Sequence, residues 1–324
     1  MTEITPWHWL GFILFILFFL ALDLGVFHRR PRIIKFGEAL AWSAVWFVVA
    51  ALFTAAFATW RSRPEAIQFA TGYVIELSLS LDNVLVMAVL FAYFRVPAGL
   101  QHRLLFLGIL GALIMRGAMI AAGIALINRF DWLFYLLGAF LVFAGFRMLF
   151  SRKQVQPEKD IVLRLARRVL PISPTTEGRK FLTRLDGRLV LTPLALVLLM
   201  IETTDLLFAV DSVPAVFSIT RKAFIVFTSN VFAILGLRSM YFVLAGALEY
   251  FRYLKTGLSV VLVFFGAKML LAPRGQATAW FQLRIPTLTS LLVVAIILLV
   301  SISFSIAGAR REKNPPPINT NSRA

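Results

Sequence analysis

The sequence contains no cysteine and few charged residues. None of its 324 residues is Cys, so this chain cannot form a disulfide and offers no thiolate as a metal ligand or nucleophile. Only 15% of the residues are charged, whereas 60% are hydrophobic. Soluble domains usually have about a quarter charged residues. This composition excludes a disordered chain and an ordinary soluble enzyme, and it favours a polytopic membrane protein.

Apolar runs that are long enough to cross a bilayer recur along the whole chain. A helix needs about 20 apolar residues to span a hydrocarbon core of about 30 Å. Nine such runs lie at 7–27, 39–60, 68–94, 104–127, 131–150, 192–217, 223–246, 252–272 and 285–307. They predict an all-α membrane helix bundle of about nine transmembrane helices in a single domain, 1–310. A disordered cytoplasmic tail, 311–324, is expected to follow it, since this tail contains Pro315–Pro317.

The basic residues are unevenly distributed between the connecting segments. Most of the 33 Lys and Arg residues fall in 28–38, 95–103, 151–191, 247–255 and the segment after 308. The positive-inside rule places these segments in the cytoplasm, with the N-terminus outside and the C-terminus inside. The same distribution explains most of the net charge of +17, and no nucleic-acid-binding motif accompanies it, so no nucleic acid is expected as a partner. Within the loop 151–191, residues 158–170 predict either a basic amphipathic helix at the lipid surface or a solvated linker helix.

Two parts of the sequence share a residue pattern. The segment IELSLSLDNVLVM at 75–87 aligns with TDLLFAVDSVPAV at 204–216, and LVFAGFRMLF at 141–150 matches LVFFGAKMLL at 262–271 in six of ten positions. The aligned polar pairs are Glu76 with Asp205, Asp82 with Asp211, Asn83 with Ser212 and, in the following span, Arg116 with Arg238.

This pattern predicts two repeats, repeat A at 68–150 and repeat B at 192–272. Each repeat contains three spans, and because three is odd the two repeats must have opposite orientations in the membrane. Inverted repeats of this kind are typical of secondary transporters, whose substrate sites lie near the bilayer midplane.

Five acidic residues lie inside predicted spans: Glu76, Asp82, Glu202, Asp205 and Asp211. Each ionised side chain at the bilayer centre costs about 2.5–3.5 kcal/mol on insertion scales. They must therefore be paired, protonated or turned toward a polar cavity. At about 100° per residue, Glu76, Ser80 and Asn83 share one helical face, and Asp205 and Ser212 share another. We expect these two faces to converge on one site of up to five carboxylates.

All the candidate ligands are hard oxygens. The predicted metal ligands are Glu76, Asp82, Asn83, Glu202, Asp205, Asp211 and Ser212. Oxygen ligands suit Mg²⁺, Ca²⁺ and Mn²⁺ better than Cu(I) or Zn²⁺, and buried carboxylates suit exchange of a metal ion for protons. The alternative is a structural role, in which Arg116 and Arg238 form salt bridges with the acids and Asn230 hydrogen-bonds a neighbouring helix.

Pro214 lies inside the sixth predicted span. Proline lacks a backbone N–H, so it is expected to displace Val213 from helical geometry and to free the Val210 carbonyl as a further ligand. The alternative is a simple packing kink.

Three motifs resemble the TerC/Alx family of bacterial integral membrane proteins. They are ELSLSLDNVLV near 76, FAVDSVPAVF at 208–217 and TSNVFAILGLRSMYF at 228–242. The resemblance implies a polytopic inner-membrane protein, associated in the family with manganese efflux and with tellurium-resistance or pH-responsive genes. The family's acidic motif residues correspond to Glu76, Asp82, Asn83, Asp205 and Asp211, with Glu202 adjacent.

We therefore predict a secondary transporter that exports divalent metal cations, Mn²⁺ foremost, in exchange for protons. The ion is the transported substrate, and no permanently bound cofactor is expected. The alternative is a non-transporting scaffold for other membrane or secretory proteins. An enzyme is not expected, since the sequence has no HExxH or GxSxG motif. An intramembrane protease that uses two aspartates on helices is not excluded by Asp82 and Asp211 alone.

Overall fold

The computed structural model describes residues 4–27, 36–150, 180–185, 188–245, 254–273, 282–283 and 285–313. Within these ranges the elements are α1 (Pro6–Phe27), α2 (Phe36–Trp60), α3 (Arg63–Tyr93), α4 (Ala98–Arg129), α5 (Trp132–Phe150), β1 (Leu182–Leu185), β2 (Arg188–Leu191), α6 (Pro193–Phe217), α7 (Ala223–Ala245), α8 (Leu254–Leu271) and α9 (Thr287–Lys313). The nine described helices coincide with the nine predicted spans. The prediction of a membrane helix bundle is confirmed.

The helices carry the apolar surface that a bilayer requires. Over the described residues, seven of them are long and apolar enough to cross a membrane, and α1 adds a shorter apolar stretch, Pro6–Ala21. Large apolar side chains are exposed on α1, α2 and α9, among them Leu14, Leu52 and Leu299. Since lipid tails are the solvent of such surfaces, these three helices form part of the periphery of the bundle.

Helix bounds differ from the predicted spans most at three ends, one of which is the start of α4 at Ala98, six residues before its predicted span. Helix α3 begins at Arg63, because Ser62 caps it by accepting a hydrogen bond from the Glu65 N–H and Pro64 fits its first turn. Helix α9 continues to Lys313, three residues past the predicted domain boundary. The rest of the tail, and the predicted amphipathic helix at 158–170, lie outside the described residues.

A short antiparallel hairpin precedes α6 and is absent from the sequence prediction. Strands β1 and β2 pair with Leu182 opposite Leu191 and Leu185 opposite Arg188. The available signal was Asp186-Gly187 between two short runs rich in Leu, Val and Thr, a dipeptide favoured in tight hairpin turns. The all-α assignment therefore holds for the bundle and not for this connection.

Helix α3 lies at the centre of the bundle. It packs against α2, α6, α7 and α9, and its contact with α7 is among the most extensive in the molecule, together with that between α5 and α8. Helix α3 of repeat A contacts α7 of repeat B, and α6 of repeat B contacts α4 of repeat A. A two-fold relation between the repeats requires this reciprocal pattern.

Two glycines at the α5–α8 interface show the same reciprocity. A Cβ on Gly145 would meet Val263 and the Ser259 carbonyl, and a Cβ on Gly266 would meet Val142 and the Gly138 carbonyl. The predicted alignment of repeats A and B matches Gly145 with Gly266, Val142 with Val263 and Gly138 with Ser259. These contacts support the inverted relation, which stays a prediction.

Gly266→Ala is expected to destabilise the protein by about 1–3 kcal/mol, as overpacking of a tight contact does. The added Cβ would lie 2.6 Å from the Gly138 carbonyl oxygen and 2.7 Å from the Val142 backbone nitrogen, and backbone atoms cannot rotate away. The measurement is the midpoint of thermal unfolding in detergent. Gly11→Ala is the matched control, since a Cβ there has no atom within 4 Å. Equal midpoints for the two variants would contradict the close packing of α5 on α8.

Helix α6 runs unbroken through Pro214 to Phe217. The expectation that Val213 leaves helical geometry is therefore wrong. Val213, Ala215 and Val216 are all buried, and packing of neighbouring helices compensates for proline in membrane helices. The Val210 side chain is exposed, so this turn lies partly at the surface of the bundle.

Candidate functional site

One arginine in the middle of α4 joins both repeats. Arg116 is only 2% exposed. Its Nε and Nη2 donate to the two carboxylate oxygens of Asp205 in α6, at 3.0 and 2.8 Å, and it forms an ion pair with Glu76 in α3. A fork-shaped guanidinium suits a two-point contact with a carboxylate. The expected salt bridging of the acids by Arg116 is thus present, and it involves one acid from each repeat.

Two further hydrogen bonds connect α3 directly to α6. The amide nitrogen of Asn83 donates to Asp205 at 3.0 Å, and the hydroxyl of Ser212 donates to Glu76 at 3.2 Å. Because the repeat alignment matches Glu76 with Asp205 and Asn83 with Ser212, the two bonds are reciprocal. We call Glu76, Asn83, Arg116, Asp205 and Ser212 the central network.

Three oxygens on one face of α3 have no hydrogen-bond partner among the described residues. They are Glu76 Oε2, Ser80 Oγ and Asn83 Oδ1, on side chains that are at most 2% exposed. Buried polar atoms are normally hydrogen-bonded, because an unmatched one costs free energy. A carboxylate, a hydroxyl and an amide carbonyl at successive turns are also the ligand types that hard cations prefer.

Glu202 lies at the edge of the central network. Its carboxylate occupies the space beside Gly111 of α4 that a Cβ at position 111 would fill. Its Oε2 atom is buried without a hydrogen bond in the described structure, and Glu202 lies close enough to Asp205 for the two charges to interact. Gly111 therefore makes room for a second acid next to Asp205. Sequence reasoning missed this glycine, because spacing along α4 does not show which side chain of α6 it faces.

Asp82 and Asp211 are separate from the central network. Both are partly buried, and each lies within electrostatic range of a basic residue, Lys255 for Asp82 and Arg147 for Asp211. Six residues separate Asp82 from Glu76, and six separate Asp211 from Asp205. At about 100° per residue, each aspartate points about 120° away from the face that enters the network.

In the described part of the chain, no three acidic or histidine side chains come together closely enough to hold a metal ion. The expected single site of up to five carboxylates is thus not formed in this structure, for the angular reason given above. Glu76 and Asp205 are brought together, Glu202 is adjacent, and Asp82 and Asp211 lie apart. Which of these residues bind an ion stays a prediction.

Two further predicted residues, Asn230 and Arg238, belong to α7. Asn230 is buried in α7, and its neighbours Thr228 and Ser229 donate to carbonyls of their own helix. The side chain of Arg238 lies outside the described structure, so its predicted pairing stays a prediction.

Comparisons with known proteins give one family model and several relatives. A profile described as the integral membrane protein TerC family matches residues 61–313. An uncharacterised membrane protein of Myxococcus xanthus is 49% identical over 94% of both chains. A protein of Escherichia coli K12, named as a candidate membrane-bound redox modulator, Alx, is 46% identical over 82% of this chain and 86% of its own. An uncharacterised membrane protein of Rickettsia felis is 38% identical over 92% of this chain and 97% of its own. No solved structure matches the chain.

Proposed function

The chain belongs to the TerC family of integral membrane proteins, and on this premise we propose that it exports divalent metal cations, Mn²⁺ foremost, in exchange for protons. The transporter would act in the bacterial inner membrane, with its N-terminus outside and its C-terminus in the cytoplasm. The two repeats would move against each other about the central network, as inverted-repeat transporters do.

The observation that carries this proposal is the set of three unpartnered oxygens on α3, Glu76 Oε2, Ser80 Oγ and Asn83 Oδ1. One of these oxygens belongs to Glu76 itself. The carboxylates of Glu76 and Asp205 both pair with Arg116 and share its single positive charge. With both acids ionised, the central network would carry one excess negative charge in a medium where charge is costly. A bound proton would neutralise this excess charge. A bound divalent cation would give the unmatched oxygens a partner, and an ionised Glu202 would balance its second charge.

The ligand chemistry favours hard divalent ions. Carboxylate, amide and hydroxyl oxygens suit Mg²⁺, Ca²⁺ and Mn²⁺, and the family resemblance adds manganese efflux to this expectation. The relatives named Alx carry the description of a redox modulator. Since this chain contains no Cys, a redox role for it would have to operate without thiol chemistry of its own.

The second candidate is a non-transporting scaffold. It is favoured by the two-acid contact of Arg116, which could simply hold α3, α4 and α6 together. In that case the acids would be structural, and the protein would move no ion.

A serine pair on α3 separates these candidates. Ser80→Ala is expected to raise the half-saturating Mn²⁺ concentration by about tenfold or more, because it removes a ligand oxygen, and even loss of a group that only supports a ligand costs about 10–100-fold in affinity. Ser78→Ala, the matched control, should change nothing, since the Ser78 hydroxyl already donates to the Val74 carbonyl of its own helix. The measurement is uptake of radioactive manganese by inside-out vesicles, with calcium and magnesium as competitors.

The scaffold predicts another result for the same pair. Ser80 has no described hydrogen bond, so removing its hydroxyl should leave the stability of the protein unchanged or slightly higher. A scaffold transports no manganese, so the wild-type protein and both serine variants should show no uptake. Absence of uptake by the wild-type protein, or equal uptake by the two serine variants, would count against the proposed cation site.

A further inference from the structure

A stripe of polar or small residues runs along α3 from its first turn to the central network. The residues are Glu65, Gln68, Gly72, Glu76, Ser80 and Asn83, separated by steps of three or four. Such steps keep side chains on one helical face, and 18 residues of helix extend about 27 Å. The stripe therefore covers most of the thickness of a bilayer core. Gln68 Oε1 is, like the oxygens of Glu76 and Ser80, buried without a described hydrogen-bond partner.

From the central network, polar residues continue along this face of α3 only toward Glu65. Beyond Asn83 the same face of α3 carries Met87 and Leu90, which belong to a buried apolar cluster with Leu194 and Val197 of α6. The segment of α6 that aligns with Glu65–Gly72 is also apolar, with Ile201 in place of Gly72, and most of its side chains are buried. Polar side chains therefore connect the central network to the Glu65 end of α3, whereas the equivalent stretch of α6 offers none.

Close contacts between the two repeats obstruct this stripe. A Cβ on Gly72 would lie 2.8 Å from Ser229 Oγ of α7 and 3.4 Å from Val216 of α6, so the helices are nearly in contact at this level. Nearer the helix end, Glu65 is buried and forms an ion pair with Lys222, in the connection between α6 and α7. Arg61 pairs with the same carboxylate.

We propose that the cation passes between the central network and the Glu65 end of the bundle along this α3 stripe. Gln68 would be an oxygen ligand on that route, and the structure has the route closed by the Gly72–Ser229 contact and by the Glu65–Lys222 ion pair. The inference rests on the proposed function for the identity of the ion, a hard divalent cation. In the predicted orientation, this end faces the outside of the cell.

The absence of native cysteine makes a direct test possible. Gln68→Cys would carry the sole thiol of the protein, and a water-soluble methanethiosulfonate reagent would be enclosed in inside-out vesicles, whose lumen is on the Glu65 side in the predicted orientation. Ala70→Cys is the control at the same depth, because two residues place it about 200° around the helix from position 68. A thiol reacts through its thiolate, which needs water, so the thiol at position 68 should react and that at position 70 should not.

A second substitution tests the closure. Lys222 is 48% exposed in a connection, so Lys222→Gln should leave the fold intact while it weakens the ion pair with Glu65. It should accelerate labelling of Gln68→Cys several-fold. Arg221→Gln is the matched control, since Arg221 is 3.9 Å from an exposed Asp131, and it should leave the labelling rate unchanged.

Manganese uptake by the same vesicles separates this route from the proposed function. Labelling that lowers the uptake of Gln68→Cys below that of the same variant before labelling, with Ala70→Cys unaffected, would support the route. The route is overturned if the thiol at position 68 reacts no faster than the thiol at position 70, with native Lys222 and also with Lys222→Gln. This holds even if wild-type vesicles transport manganese. If position 68 reacts but wild-type vesicles take up no manganese, the proposed function fails while a water-accessible stripe stands.

Discussion

Asp82→Asn and Asp211→Asn are each expected to reduce manganese export to the level of vesicles that lack the protein. The two residues correspond in the repeat alignment, and each places a carboxylate inside a span, where ionisation is costly. In the described structure neither takes part in a hydrogen bond or close ion pair, although Lys255 and Arg147 lie within electrostatic range of them. Their loss should therefore affect transport far more than folding.

The measurement is uptake of radioactive manganese by inside-out vesicles, with the amount of inserted protein determined in the same membranes. Asn is nearly isosteric with Asp, so only charge and proton exchange are removed. Asp131→Asn is the matched control, because this carboxylate is 82% exposed between α4 and α5. Normal export by both Asp82→Asn and Asp211→Asn would defeat their assignment as ion ligands.

The positions of the spans could be predicted from the sequence, because about 20 apolar residues have few alternatives to a membrane helix. The pairing of α3 with α6 was also accessible, since Glu76 and Asp205 occupy matching places in two similar segments. What could not be predicted was that both acids contact the same guanidinium. Arg116 lies on a third helix, and neither spacing nor composition shows toward which neighbour its side chain points.

The five acids do not form one cluster for a geometric reason. Each of Asp82 and Asp211 is rotated by about 120° from the neighbouring acid on the same helix. That angle was available from residue numbers alone. By contrast, the space that Gly111 leaves for Glu202 depends on how α4 and α6 approach each other, and this follows only from the packed structure.

Arg116→Met is expected to destabilise the protein by about 3–5 kcal/mol, the usual cost of breaking a buried ion pair by removing one partner. It leaves Glu76 and Asp205 buried together without their shared cation. The measurement is unfolding in detergent, by heat or by denaturant. Arg129→Met is the control, since Arg129 is exposed at the end of the same helix. This substitution should change the free energy of unfolding by no more than about 0.5 kcal/mol.

The triple variant Arg116→Met, Glu76→Gln, Asp205→Asn tests whether the buried charges are structural or bind the transported ion. Removing all three charges leaves no unpaired ion in the bundle, so most of the stability lost in Arg116→Met should return. If the acids only hold helices together, the triple variant should behave like the wild type in every cellular assay. If they bind the transported ion, the triple variant should be folded, inserted and unable to export manganese. Recovery of both stability and export would show that cation transport does not pass through Glu76 and Asp205.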